Sequence, residues 1–154
     1  MKKISVGMII SLISIILTVI ATVLYKVNIT DSGYFQNATV TNLIPLSIAG
    51  IATLVAAIAI SMATGKSKAT EIIVGLLQIV TPAILVVCAL WLVAGRAEGL
   101  GYIYFSNADV AKEVGTAENL ASASTAIKSI VLYGVSAVVA IIGAFFGIRP
   151  ATKK

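Results

Sequence analysis

Residues 72–94, IIVGLLQIVTPAILVVCALWLVA, decide the fold, because they contain no charged side chain over 23 positions. An α-helix needs about 20 apolar residues to cross the ~30 Å hydrocarbon core of a bilayer. The segment is long enough for this, and charged residues, Glu71 and Arg96, stand near its two ends. It therefore predicts a membrane-spanning helix.

Three further uncharged runs have the same character, so the chain is predicted to cross a membrane four times. The first run, of 22 residues, exceeds the usual signal-peptide core of about 7–15 residues, which favours an uncleaved span. We expect an all-α integral membrane protein, a four-helix bundle forming a single domain over residues 1–154. The predicted spans are 4–25, 43–63, 72–94 and 129–148, joined by loops at 26–42 and 95–128 and a turn at 64–71.

The composition excludes several classes of function. Hydrophobic residues make up 59% and charged residues 11% of the chain, against about 25% charged in soluble domains. The basic residues stand between apolar runs, so the net charge of +5 does not indicate nucleic-acid binding. There is no histidine, and the one cysteine, Cys88, lies inside an apolar run as a small hydrophobe. No catalytic, cofactor or metal site is predicted, and an enzyme is not expected.

The distribution of basic residues predicts the orientation. Seven of them lie at the termini and in the turn, with Glu71 as their only acidic neighbour, and four lie in the longer loops beside five acids. By the positive-inside rule, both termini face the cytoplasm. Compact loops and lysine-flanked ends favour a bacterial cell membrane. The seven are Lys2, Lys3, Lys66, Lys68, Arg149, Lys153 and Lys154.

Aromatic residues support the same orientation. Tyr25, Trp91 and Tyr133 lie near the predicted outer ends of their helices, where amphipathic rings favour the lipid headgroup layer. We expect these three side chains to form an aromatic belt.

The two longer loops are predicted to form a small extracytoplasmic cap. Residues 34–41 and 99–105 are rich in aromatic and β-branched side chains, which favours two short strands that pair as in a hairpin. Residues 106–109 resemble a capping box and predict the start of a short helix that ends near Gly115. Thr116 is predicted to cap the next helix, which continues into the fourth span. Tyr102, Tyr104 and Phe105 form an outer contact loop that enters the headgroups, packs under the first loop or contacts another protein.

Small residues recur at three- and four-residue steps on three helices. Such faces let helices approach closely in lipid, either within one chain or between subunits. The fourth span contains a literal GxxxG, Gly143 to Gly147. The predicted packing or oligomer faces are Ser136, Ala140, Gly143 and Gly147 on the fourth span, Ala49, Thr53, Ala57 and Ser61 on the second, and Gly7, Ser11, Ser14, Thr18 and Thr22 on the first.

Gln78, Thr81 and Pro82 stand together in the third span. Pro82 removes the hydrogen bond to the carbonyl of Gln78, which predicts a kink. The freed carbonyl would be met by Thr81 or by the Gln78 amide of a neighbour. The group is either a structural kink held by one interhelical hydrogen bond or a constriction in an oligomeric pore, and the first is favoured.

Two functions follow from these patterns. The first is a structural or accessory membrane protein that assembles with itself or with a larger membrane partner. The second is a subunit of an oligomeric channel or transporter, with a pore lined by Ser/Thr side chains or by Gln78. The plan of four spans is shared with claudins and connexin-like channels, but their loop cysteines and the claudin loop tryptophan are missing, so no family is assigned.

Overall fold

The computed structural model describes residues 4–63 and 67–148. All the helices except α4 are long and apolar enough to cross a membrane, which confirms four apolar helices of spanning length. The helices of the described part are α1 (Val6–Thr30), α2 (Leu43–Ala63), α3 (Lys68–Phe105), α4 (Ala108–Val114) and α5 (Ala117–Phe146).

Side-chain caps set where most of these helices begin. At each cap the side-chain oxygen accepts a hydrogen bond from the backbone N–H three residues later, which satisfies one of the free donors of the first turn. The predicted helix start within residues 106–109 is confirmed, with Asn107 as the cap, and so is the predicted cap at Thr116. The capping residues are Ser5 for α1, Ser67 for α3, Asn107 for α4 and Thr116 for α5.

The four long helices pack as an antiparallel bundle. α5 packs against α1 and α3, and α2 packs against α3 and, less extensively, α1. Neighbouring long helices therefore alternate in direction, as in an up-and-down bundle. We call the end formed by residues 26–42 and 95–128 the cap end. The opposite end, where α2 ends and α3 begins, is the turn end.

The bundle has polar side chains inside and apolar ones outside. Ser14, Ser47 and Ser136 are fully buried, whereas Ile16 and Ile79 are exposed, the latter by 68%. In water this arrangement would leave a large continuous apolar surface. It is the arrangement expected of helices whose surroundings are hydrocarbon.

The predicted strand pairing in the cap is wrong, since no strand occurs in residues 4–63 and 67–148. Residues 99–105 are instead the last two turns of α3. Gly99 and Ile103, one helical turn apart, are both buried, so a helical conformation directs both residues towards the bundle. Packing thus outweighs the β-propensity of the aromatic residues. Residues 34–37 form turns rather than a strand.

Part of the predicted turn and most of the basic residues used to predict orientation lie outside the described residues. Within the turn, α3 begins at Lys68, which is exposed. The turn residues 64–66 and the terminal basic residues Lys2, Lys3, Arg149, Lys153 and Lys154 are the ones concerned.

Candidate functional site

A buried arginine organises the cap end. Arg96, on the cap-end part of α3, is only 1% exposed. Its guanidinium donates through Nε to Asn28 Oδ1 at 3.2 Å and through Nη2 to the carbonyl of Ala38 at 2.7 Å. Nη1 donates to the carbonyl of Gly95 at 3.2 Å. All three acceptors are neutral, so the positive charge is stabilised by dipoles.

Two aromatic rings complete the surroundings of this guanidinium. Its carbon lies 4.6 Å from the ring centroid of Phe35 and 5.7 Å from that of Tyr25, both within the range of a cation–π contact. The hydroxyl of Tyr25 in turn accepts a hydrogen bond from the backbone N–H of Val40 at 2.6 Å. Arg96 therefore connects α1, the first loop and α3.

The first loop is also held against α5. Asn28 Nδ2 donates to the carbonyl of Ser122 at 2.8 Å, and the N–H of Phe35 donates to Ser122 Oγ at 3.3 Å. Gly33, with φ +131°, allows this approach, because a β-carbon there would lie 2.8 Å from Cβ of Ser122. Gly99 allows the loop to approach α3 as well, because a β-carbon there would lie 2.6 Å from the ring of Phe35. The loop is thus a fixed part of the cap.

A groove opens beside this cluster, between the first loop and α3. Its volume is about 500 Å³, and Arg96 contributes to its wall. Trp91, which is 42% exposed, stands on the same wall. The remaining lining residues are Ala38, Thr39, Val40, Thr41, Asn42, Ala94 and Gly95.

The cap end of α3 presents exposed aromatic side chains, which we call the aromatic edge: Tyr102, Tyr104 and Phe105. Phe105 is 86% exposed, and Tyr102 is 49% exposed. Ile103, between them in sequence, is buried with Phe35 in a small apolar cluster. The helix therefore turns Ile103 towards the cap and the aromatic edge away from it.

Hydroxyl groups bond to one another inside the bundle. Ser136 on α5 donates to the carbonyl of Ser14 on α1 at 2.9 Å and also bonds the hydroxyl of Thr18. Nearer the cap, the hydroxyl of Tyr133 lies 3.0 Å from Thr22 Oγ1 and 2.6 Å from Ser47 Oγ. These bonds join α1, α2 and α5 through their interior faces.

The GxxxG face of α5 packs against α1 of the same chain. A β-carbon on Gly7 would lie 2.2 Å from the carbonyl oxygen of Gly147 and 2.9 Å from that of Gly143. Ser136 and Ala140, on the same face, are also buried. Within this chain, the small residues of α5 are therefore used for close packing between α1 and α5.

The small-residue face of α2 takes part only partly in packing between helices of the chain. Ala57 and Ser61 are buried, whereas Ala49 is exposed on the outer surface. Thr53 Oγ1 lies 2.8 Å from Thr81 Oγ1 on α3. The Ser61 hydroxyl, and that of Ser11 on α1, have no hydrogen-bond partner within the part of the chain that the structure describes.

The polar group around Pro82 is engaged inside the chain. Gln78 is buried, and its Nε2 donates to the carbonyl of Gly143 at 3.4 Å. Thr81 Oγ1 donates to the carbonyl of Leu77 at 2.8 Å, not to that of Gln78. These contacts are interhelical and local hydrogen bonds within one chain.

The predicted aromatic belt is wrong for two of its three members. Tyr25 and Tyr133 are buried, and their hydroxyls bond within the bundle, so only Trp91 faces outward. A tyrosine near a helix end also suits an interior where backbone and hydroxyl groups need partners.

The role of Arg96 was not predicted. Its position in the sequence could have indicated such a role, since Arg96 is the first charged residue after Glu71 and stands two residues past the predicted span.

Over residues 4–63 and 67–148 no group of three or more His, Cys, Asp or Glu side chains could hold a metal ion. Cys88 is buried, with its Sγ 3.8 Å from Ser47 Oγ.

Comparison with protein-family models, curated proteins and solved structures finds no match to the chain.

Proposed function

We propose that the protein is a non-catalytic structural or accessory protein of the cell membrane, with both termini in the cytoplasm. It acts by associating with a second copy or with a larger membrane protein through the aromatic edge, Tyr102, Tyr104 and Phe105. The high exposure of Phe105 on a helix that extends well past its span is the observation that supports this most directly.

The length of α3 supports a position of the aromatic edge beyond the lipid. Phe105 lies 22 residues beyond position 83, the midpoint of the predicted span, or about 33 Å along a helix. If the helix is tilted by about 20° from the membrane normal, Phe105 still stands about 31 Å from the bilayer centre. The hydrocarbon core ends about 15 Å from the bilayer centre and the headgroups end at about 20–22 Å. An exposed phenylalanine at that height favours contact with protein.

The other candidate contact surfaces are less available. The small-residue faces of α1 and α5 are packed against each other within the chain. The exposed faces of the spans are mainly isoleucine, leucine and valine, which suit lipid as well as protein. The aromatic edge is therefore the surface that favours association.

Among the residues that the structure describes, no contact favours the alternative of a pore subunit. Ser14 and Thr18, on the Ser/Thr face of α1, bond Ser136 inside the bundle, and Gln78 bonds to α5. A conduit between copies would have to be lined by apolar outer faces. Solute flux into liposomes that Gln78→Leu alters would instead favour the pore.

The proposal is tested by the size of the purified full-length protein in mild detergent. We expect a discrete species larger than the 15.9 kDa monomer, and expect Phe105→Ser to reduce it to the monomer. Phe145→Ser is the matched control, because Phe145 is 88% exposed but lies near the turn end. Size-exclusion chromatography with light scattering measures both.

The outcomes separate the possibilities. If Phe145→Ser disrupts the assembly and Phe105→Ser does not, the aromatic edge is not the contact surface. If the wild type is a monomer at every concentration, self-association is excluded. The larger partner would then be sought by crosslinking in cells, where Phe105→Ser should abolish the crosslinked species.

A further inference from the structure

The groove beside Arg96 combines a cavity with a buried, uncompensated positive charge. A guanidinium has five N–H donors, and in Arg96 three of them are engaged by Asn28, Ala38 and Gly95. One N–H on Nη1 and one on Nη2 remain without an acceptor within residues 4–63 and 67–148. Arg96 and the two residues whose carbonyls accept from Nη1 and Nη2, Gly95 and Ala38, all line the groove.

Burying an arginine among neutral acceptors is costly unless its charge meets an anion. The exposed threonines Thr39 and Thr41 and the amide of Asn42 stand around the same groove and can also donate hydrogen bonds. Two parallel N–H donors of one guanidinium fit the paired oxygens of a phosphate. The chemistry of the groove therefore suits a phosphate group.

We propose that this groove binds the phosphate of an anionic phospholipid headgroup from the leaflet at the cap end. The inference requires that α3 cross the membrane, but it does not require that the protein self-associate. Trp91 and Arg96 lie 8 and 13 residues beyond position 83, about 12 and 20 Å from the bilayer centre. This interval spans the boundary between hydrocarbon and headgroups, where a lipid phosphate is found and an exposed tryptophan is favoured.

Trp91 provides a direct readout, because it is the only tryptophan of the chain and lines the groove. The detergent-solubilised full-length protein is titrated with short-chain phosphatidylglycerol, with phosphatidylcholine and with inorganic phosphate, while Trp91 fluorescence is recorded. We expect saturable binding of phosphatidylglycerol with an apparent Kd about tenfold below that of phosphatidylcholine. Inorganic phosphate at the same concentrations should leave the emission unchanged.

Two variants test the site, and one serves as control. Arg96→Gln removes the charge and should abolish the preference for phosphatidylglycerol. Ala94→Phe fills the groove from an exposed position without changing Arg96, and should weaken phosphatidylglycerol binding at least about tenfold. Ala97→Phe is the matched control, since Ala97 is also exposed but lies outside the groove. Helicity by circular dichroism checks that each variant is folded.

Three results would overturn the proposal. The first is equal affinity for phosphatidylglycerol and phosphatidylcholine, and the second is unchanged phosphatidylglycerol binding by Ala94→Phe. The third is a Trp91 response to inorganic phosphate alone, which would make free phosphate the ligand. Should Arg96→Gln fail to fold, the comparison of Ala94→Phe with Ala97→Phe still tests whether phosphatidylglycerol binds in the groove. The oligomer size is measured separately, so failure here leaves the association proposal unaffected.

Discussion

At Gly7, α1 approaches the end of α5 more closely than a β-carbon would allow. The atoms that such a carbon would meet are backbone oxygens of Gly143 and Gly147, which cannot rotate away. Only a separation of the two helices could relieve the overlap. The glycine is therefore required by packing, and its φ is not in the left-handed region.

We predict that Gly7→Ala destabilises the bundle by about 1–3 kcal/mol, the usual cost of overpacking a core. Gly134→Ala is the control, because a β-carbon at that position in α5 meets nothing within 4 Å. Replacing a helical glycine in open space by alanine should instead stabilise by about 0.5–1 kcal/mol. Unfolding in mixed micelles measures both free energies. Equal stability of the two variants would contradict the packing at Gly7.

At the scale of the helices, hydroxyl pairs lie at the contacts between neighbours. Tyr133 on α5 bonds Thr22 of α1 and Ser47 of α2, and so connects three helices at one level of the bundle. In lipid the hydrophobic effect does not hold helices together, so such bonds and close packing set their arrangement.

Tyr133→Phe should therefore lower the free energy of unfolding by about 0.6–1.7 kcal/mol, from the average to the largest value found for interhelical hydrogen bonds in membranes. Tyr104→Phe makes the same chemical change at an exposed side chain of the aromatic edge and should have no measurable effect. The same mixed-micelle unfolding assay compares the two. A cost for Tyr104→Phe equal to that for Tyr133→Phe would show that the Tyr133 bonds contribute nothing.

For the whole molecule, the orientation predicted from charge can be tested through the two ends of the bundle. Asp109→Cys places a thiol on α4, which has no buried residue at the cap end, and Ala69→Cys places one on an exposed position at the turn end. A membrane-impermeant maleimide should label Asp109→Cys in intact cells and Ala69→Cys only after lysis. Cys88 gives little background because it is buried. The reverse labelling pattern would place the termini outside.

The candidate sites were predictable to different degrees. The small-residue face of α5 was recognised from its spacing, because four-residue steps define one side of a helix. Its partner, Gly7 of α1, could not be assigned, since spacing says nothing about which helix packs opposite. The exposed aromatic edge was recognised as a contact candidate, but its helical form depended on the burial of Gly99 and Ile103.

The sequence by itself determined that the chain forms four long apolar helices, and where α4 and α5 begin. These are local properties, since the length of an uncharged run and a capping side chain act on the residues beside them. Only the tertiary structure decided that Tyr25 and Tyr133 turn inward, that α3 continues to Phe105, and that Arg96 is buried beneath the first loop. The physical reason is that burial and hydrogen bonding depend on which distant groups meet, and no local pattern specifies those partners.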